Sequence, residues 1–166
     1  MLTIRHGVAT DTGNVRAQNE DAFFASSTLF AVADGMGGHN AGEVASALTT
    51  QLLGALPQGA VSTPEAFVEV VQQINQSIFQ AATATTEQRG MGTTLTAILF
   101  AGDRLGLVHI GDSRGYLLRD GELAQITKDD TFVQTLVDEG RITAEEIEGS
   151  VTGRLVSRGL AMHCPS

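Results

Sequence analysis

The pattern of apolar and polar positions predicts a buried strand and two amphipathic helices in the first half of the chain. The apolar run at 29–33, LFAVA, predicts a strand that is buried on both faces and ends where Asp34 begins. A glycine-rich loop follows, and apolar residues then recur every four positions, which predicts a helix that stops before Pro57; these residues are Val44, Leu48, Leu52 and Leu56. Thr63 and Pro64 are typical of the start of a second helix, whose predicted core residues are Phe67, Val70, Val71, Ile74 and Ile78.

The second half of the chain predicts two β-hairpins. The segments TTLTAILF (93–100) and LGLVHIG (105–111) flank a short turn, and Asp120 and Gly121 form a second tight turn between GYLLRD and ELAQIT. Four consecutive strands after two helices indicate an antiparallel sheet with helices on one side, and therefore an α+β protein. Further along, a short helix is predicted over 128–140 and a capping box at 143–146.

Composition narrows the functional classes. A chain of 166 residues with 42% hydrophobic residues is long enough for one domain with a real core. The net charge of -9 argues against a partner bound through a nucleic-acid backbone. Disulfides are excluded because Cys164 is the only cysteine, and this usage suits a reducing compartment. Since the sequence has neither the apolar region of a signal peptide nor a membrane-spanning run, we expect a cytoplasmic protein.

Asp34 and the glycines after it form the first candidate site. A carboxylate at the end of a buried strand is followed by Gly35, Gly37 and Gly38, which allow positive φ angles and a close approach of the backbone to a ligand. Oxygen ligands of this kind suit a hard divalent cation. An isolated Asp-Gly pair predicts only a turn, but several glycines at fixed offsets are hard to explain by chain reversal alone.

A second acidic group lies nearer the N-terminus. Glu20 and Asp21 directly precede the apolar residues 22–24, and Arg16 lies four positions before Glu20. Acids beside a core segment are costly unless they are paired or bind metal. An ion pair with Arg16 at a strand end and a functional site are both consistent with this segment.

The segment GDSRG (111–115) matches the G-x-S-x-G nucleophile elbow of serine hydrolases and follows a predicted strand. That motif must open a helix, whereas the residues after Gly115 predict a strand, and the only later histidine is His163. A nucleophilic role for Ser113 is therefore disfavoured. Asp112 is either an acceptor that fixes the hairpin or another oxygen ligand.

Four segments taken in order resemble the type 2C (PPM) metal-dependent serine/threonine protein phosphatases, most closely the bacterial branch that opposes receptor-like kinases in actinobacteria. They are RAQNEDAFF, ADGMGGHNAGEVAS, GMGTTLTAILF and IGDSRGYLLRDGELAQITKDD. The resemblance implies an α/β/β/α sandwich of two antiparallel sheets flanked by helices, incomplete at its C-terminal side. On this basis residues 1–148 are predicted to be the N-terminal portion of a phosphatase domain, and residues 149–166 a divergent or frame-shifted tail.

The resemblance also implies the chemistry of a phosphatase acting on phosphoserine and phosphothreonine in proteins, including Ser/Thr kinases. Two Mn²⁺ or Mg²⁺ ions are expected, with a third, weaker ion held with the help of Asp112. By motif, Asp34 would bridge both metals and the Gly35 carbonyl would bind one. Glu20 and Asp21 would hold metal-bound waters, and Arg16 would bind the substrate phosphate.

Two departures from the family pattern bear on activity. Eukaryotic relatives carry a histidine where this chain has Met36, so His39 or a metal-bound water must protonate the leaving oxygen. Two further metal-binding aspartates and a His-Pro segment of the family have no counterpart in this sequence. We therefore expect weak metal binding, and the alternative function is a catalytically impaired fragment or pseudophosphatase that binds proteins.

Overall fold

The structure, a computed structural model, describes residues 3–38, 41–57 and 59–130. Several predictions lie outside these residues. They are His39, the part of the 128–140 helix after residue 130, the capping box at 143–146 and the tail. The elements in chain order are β1 (Asp21–Ala25), β2 (Leu29–Met36), α1 (Ala41–Gly54), α2 (Pro64–Ala84), β3 (Gly92–Thr93), β4 (Leu95–Ala101), β5 (Arg104–Ile110), β6 (Tyr116–Arg119) and β7 (Glu122–Gln125).

These strands form two antiparallel sheets. The larger sheet has five strands in the order β1-β2-β4-β5, with β3 paired to the end of β2, and the smaller sheet is the β6-β7 hairpin. Both predicted hairpins are therefore confirmed. At the second turn Asp120 and Gly121 both have positive φ angles, 53° and 83°, as a tight hairpin turn of matching twist requires. The α+β class, with two antiparallel sheets and helices, is confirmed.

The core lies between the two helices and one face of the larger sheet. Helix α2 begins as predicted: the Thr63 hydroxyl caps it by accepting a hydrogen bond from the Ala66 amide at 3.1 Å. Its buried positions interlock with α1 and the sheet in one cluster, which includes Leu53, Phe67, Ile74, Ile78, Leu95 and Leu99. Among the helices described, none is both long and apolar enough to cross a membrane.

Strand β2 differs from its prediction in burial and length. Its residues alternate between buried and more exposed, and Val32 is 48% exposed, so burial on both faces was wrong. The reason is that both helices pack on one face of the sheet, and only every second residue of the strand reaches that core. The strand also runs on to Met36, which places Asp34 within it, on the face opposite the helices.

Helix α1 buries its small residues most completely, and the predicted leucines lie beside them against the core. Its buried residues are Ala41, Gly42, Ala45, Ser46, Thr49 and Leu53, whereas Val44 is 37% exposed. Small residues lie against the sheet because they allow the helix to approach it closely. The leucines at 48, 52 and 56 are partly buried at the edge of this contact.

Candidate active site

The sheet register places two of the candidate acids, Asp21 and Asp34, in one transverse row. Asp21 in β1 lies opposite Asp34 in β2. On its other edge β2 pairs with β3 and β4, where Gly35 lies opposite Thr93 and Val32 lies opposite Thr96. This register places Thr94 opposite Asp34. β4 pairs with β5 as far as Leu95 opposite Ile110, and the next residue, Gly111, lies close against Thr94. The fold therefore brings Asp21 and Asp34 together and holds Asp112 near enough for its charge to act on Asp34.

The carboxyl group of Asp34 is surrounded by other acids. Crowding by protein atoms removes part of its hydration, and this burial is the main reason that its pKa is raised to about 6. The charges of Asp21 and Asp112 raise the pKa further, a hydrogen bond shared with Asp21 stabilises the protonated form, and the charge of Arg16 opposes them. Like charges held this close favour either a bound proton or a bound cation.

Arg16 and Glu20 form an ion pair, with 2.8 Å between Nη1 of Arg16 and Oε2 of Glu20. The ion-pair interpretation of this segment is therefore correct. The functional interpretation also stays open, because the guanidinium lies near enough to lower the pKa of Asp34. The side chain of Arg16 is 73% exposed and that of Glu20 only 17%, so the arginine projects from the acidic site toward solvent.

Two of the glycines after Asp34 are required for structural reasons, a positive φ angle and close packing. Of Gly35, Gly37 and Gly38, only Gly37 has a positive φ angle, at 154°. Gly35 is instead required by close packing, because a Cβ atom there would lie 2.0 Å from the backbone oxygen of Gly42 in α1. Gly42 is equally confined, since its Cβ would lie 2.7 Å from Oε1 of Glu20. The two glycines let the start of α1 pack directly against β2 and Glu20.

The nucleophile-elbow hypothesis for Ser113 is contradicted. Strand β6 follows Gly115, where the motif needs a helix. The Ser113 hydroxyl lies 2.6 Å from the Thr94 hydroxyl. The described histidine on the preceding strand, His109, is engaged elsewhere, through Nδ1 with Thr96 and through Nε2 with the Lys128 carbonyl.

Three threonines that the sequence analysis took only as strand residues prove to support the site. The Thr93 hydroxyl donates to the Asp34 carbonyl at 3.0 Å, the Thr94 hydroxyl accepts from the Asp34 amide at 2.9 Å, and the Thr96 hydroxyl donates to the Ser113 carbonyl at 2.8 Å. The run TTLT, with hydroxyls in a strand otherwise buried, was the available signal. It was missed because threonine is common in strands for its shape alone.

A groove of about 200 Å³ opens beside the acids. Its lining includes Asp21, Phe23, Val32, Asp34 and Ser113. Carboxylate oxygens in this lining are the hard ligands that Mn²⁺ and Mg²⁺ prefer, and the repulsion between Asp21 and Asp34 would be relieved by a cation. The residues therefore fit one side of a divalent-cation site. Among the described residues, no three acidic, histidine or cysteine side chains converge closely enough to complete such a site.

The structure is an α+β fold of two antiparallel sheets with helices, and the acidic row lies on the face of the larger sheet opposite the helices. The model of the protein phosphatase 2C family matches residues 14–148, and the chain belongs to that family. The resemblance seen in the sequence is thus confirmed.

The relatives include the serine/threonine protein phosphatase PstP of Mycobacterium tuberculosis, which is 55% identical over 166 residues, covering 98% of this chain and 32% of PstP. The serine/threonine phosphatase stp of Listeria monocytogenes is 35% identical over 164 residues, covering 92% of this chain and 65% of the relative. This chain therefore spans about a third of the length of PstP. The division of the chain at residue 148 stays a prediction.

Solved structures of this family resemble the fold of this chain. The crystal structure of M. tuberculosis PstP/Ppp superposes with a TM-score of 0.88 at 54% identity, covering 99% of this chain and 71% of that chain. The PstP catalytic domain in complex with two manganese ions gives a TM-score of 0.78 at 55% identity, covering 95% of this chain and 67% of that chain.

Proposed function

We propose that this chain carries the phosphate-binding and metal-binding acidic face of a protein serine/threonine phosphatase that hydrolyses phosphoserine and phosphothreonine with a metal-activated water. The observation that carries the proposal is the row in which Asp21 and Asp34 meet, with Asp112 and Arg16 within electrostatic reach of Asp34. The named activity of the relatives and the manganese ions of the PstP structure support it. The expected substrates are cytoplasmic phosphorylated proteins, including serine/threonine kinases.

The residues have distinct roles in this proposal. Asp34 and Asp21 would hold divalent cations, with the Gly35 carbonyl and Glu20 contributing further oxygens and Asp112 assisting a third ion. Bound there, the ions would supply a water of lowered pKa and positive charge for the phosphate oxygens. Arg16 would bind the substrate phosphate, because a planar guanidinium matches two phosphate oxygens at once.

Glu20 determines where Arg16 is held. The ion pair fixes the guanidinium beside the acidic site while leaving most of its surface accessible. An incoming phosphate dianion can therefore bind the exposed donors of Arg16 without first breaking the contact with Glu20.

A catalytically silent, protein-binding module is the second candidate. It is favoured by apolar surface in the described part of the chain: Leu118 and Leu123 face each other across the β6-β7 hairpin and are 68% and 67% exposed. Exposed apolar patches commonly mark protein-binding surfaces. Such a module would keep the acidic row but show no turnover.

The test is hydrolysis of p-nitrophenyl phosphate and of a phosphothreonine peptide, each with and without Mn²⁺. We expect turnover that requires Mn²⁺, and we expect Asp34→Ala to reduce kcat about a hundredfold or more, because metal ions contribute several kcal/mol to catalysis of this kind. Asp103→Ala is the matched control, since Asp103 is an exposed acid in the turn between β4 and β5, away from the acidic row. It should retain wild-type activity.

The other outcomes separate the candidates. A folded wild-type chain that binds Mn²⁺ yet turns over neither substrate would favour the binding module. Turnover that needs no metal and disappears in Ser113→Ala would overturn both candidates.

A further inference from the structure

The β-ladder is altered at the residue opposite Asp34. In a regular antiparallel pair of this type, two opposite residues exchange two backbone hydrogen bonds. Here the Thr94 amide donates to the Asp34 carbonyl at 2.9 Å, but the Asp34 amide donates to the Thr94 hydroxyl, also at 2.9 Å. The Thr94 carbonyl instead shares the single proton of the Thr93 hydroxyl with the Asp34 carbonyl, and each oxygen lies 3.0 Å from that hydroxyl. A side chain has thus taken the place of a backbone group, and Thr94 separates β3 from β4.

The same hydroxyl reaches the turn that carries Asp112. Its oxygen lies 2.6 Å from the Ser113 hydroxyl, and Thr94 is only 1% exposed. The contact with Gly111 is equally tight, because a Cβ atom on that glycine would lie 2.6 Å from Cγ2 of Thr94. Thr94 therefore contacts the residues on both sides of Asp112 as well as the backbone of Asp34.

The Thr94 oxygen accepts from the Asp34 amide and also forms a hydrogen bond with the Ser113 hydroxyl, in which either oxygen can be the donor. Ser113 and Asp34 both line the groove beside the acids.

We propose that Thr94 is a positioning residue that fixes Asp34 relative to Asp112 through its hydroxyl group, and so sets the spacing of the carboxylates for a divalent cation. This inference rests on the proposed function for its link to the metal. The coupling between the two acids is a property of the protein alone. Groups that hold metal ligands in place commonly contribute about 10- to 100-fold to metal affinity.

Three variants test the proposal. Thr94→Val keeps the shape of the side chain and removes the hydroxyl, whereas Thr94→Ser keeps the hydroxyl. Thr49→Val is the matched control, because Thr49 is also fully buried and its hydroxyl bonds the Ala45 carbonyl at 2.9 Å within α1. It measures the effect of losing a buried hydroxyl elsewhere in the core.

The first measurement is Mn²⁺ affinity, from the electron paramagnetic resonance signal of free Mn²⁺, at a temperature where all variants are folded. We expect Thr94→Val to raise the Kd about tenfold or more. Thr94→Ser and Thr49→Val should stay within about threefold of wild type. Equal Kd values for Thr94→Val and Thr49→Val would overturn the metal-spacing role.

The second measurement needs no metal. In the metal-free chain, amide hydrogen exchange and backbone chemical shifts are recorded by NMR. Thr94→Val should accelerate exchange of the Asp34 amide and shift the Asp112 signal, while Thr94→Ser and Thr49→Val should not. Failure of wild type to bind Mn²⁺ would reject the proposed function, whereas unchanged Asp34 and Asp112 signals in Thr94→Val would reject the positioning role.

Discussion

At the scale of single residues, the raised pKa of Asp34 has a measurable consequence for stability. The carboxyl group loses hydration in the fold and faces two other acids, so in the folded state it holds a proton up to about pH 6, compared with 3.8 for an unperturbed aspartate. Between these two pH values the folded state therefore binds more protons than the unfolded state. By linkage, stability from this group is fully present below pH 3.8 and is lost as pH rises through about 6.

We predict that Asp34→Asn stabilises the metal-free protein increasingly as pH rises from about 4 to about 6, relative to wild type, because asparagine cannot ionise. The measurement is the free energy of unfolding in urea for both proteins across this range. The difference between the proteins cancels most contributions from other acids. A difference that stays constant with pH, or that shrinks as pH rises, would contradict the raised pKa.

The acids of the site were recognised from sequence, whereas the threonines were missed. Glu20, Asp21 and Asp34 stand beside apolar runs, where charge is costly and therefore informative. The Thr94 hydroxyl replaces a backbone carbonyl as the acceptor of the Asp34 amide in the β-ladder. The sequence alone does not show which groups of two strands will face each other. The distance from Asp112 to Asp34 depends on the same pairing.

At the scale of elements, α1 is fixed to the site by its first turns. Gly42 packs on the backbone of Gly35, and the Ser46 hydroxyl donates to the Glu20 carbonyl at 2.6 Å. The helix therefore supports both the strand that carries Asp34 and the segment that carries Glu20. Its packing and the geometry of the acids are coupled.

We predict that Gly42→Ala destabilises the protein by about 1–3 kcal/mol, the usual cost of overpacking a close contact. The added Cβ would lie 2.7 Å from Oε1 of Glu20 and 2.8 Å from the backbone carbon of Gly35. Urea unfolding measures the change. We also expect weaker Mn²⁺ binding, because Glu20 must move.

Gly54→Ala is the control within the same helix. Its Cβ would meet Phe24 at an ordinary 3.5 Å, so the variant should be neutral or about 0.5 kcal/mol more stable through the helix propensity of alanine. Equal destabilisation by the two substitutions would show that the contact between Gly35 and Gly42 has no special role.

The elements were predictable to different degrees. The prediction of helix α2 was correct in its start and its core positions, because the segment has an N-cap, a proline in its first turn and a long, regular spacing of apolar residues. The burial of β2 was wrong because a short apolar run does not show whether one or both faces are covered. In α1 the leucine pattern located the helix, and these leucines are partly buried against the core, but the most buried positions carry small residues such as Ala45 and Ser46.

At the scale of the whole molecule, the net charge of -9 attracts cations generally, so specific and diffuse binding must be separated. We predict that Mn²⁺ at about 100 times its Kd raises the free energy of unfolding by about 2.7 kcal/mol, because the ion binds the folded acidic row and not the unfolded chain. Thermal or urea unfolding with and without Mn²⁺ measures this.

Two charge variants make that measurement specific. Asp34→Ala should abolish the stabilisation, while Asp103→Asn removes the same charge from an exposed turn and should preserve it. Stabilisation that survives in Asp34→Ala would place the ion elsewhere on the acidic surface.

The transverse row also determines when during folding such an ion could first act. The contact between Asp34 and Thr94 joins residues 60 positions apart, so the β1-β2 hairpin alone lacks half of the arrangement. Closing so long a loop is costly in entropy, and contacts of this kind generally form slowly. A divalent ion that needs the complete row would therefore leave early chain collapse unchanged. It would act chiefly by slowing unfolding, and it would change the folding rate much less.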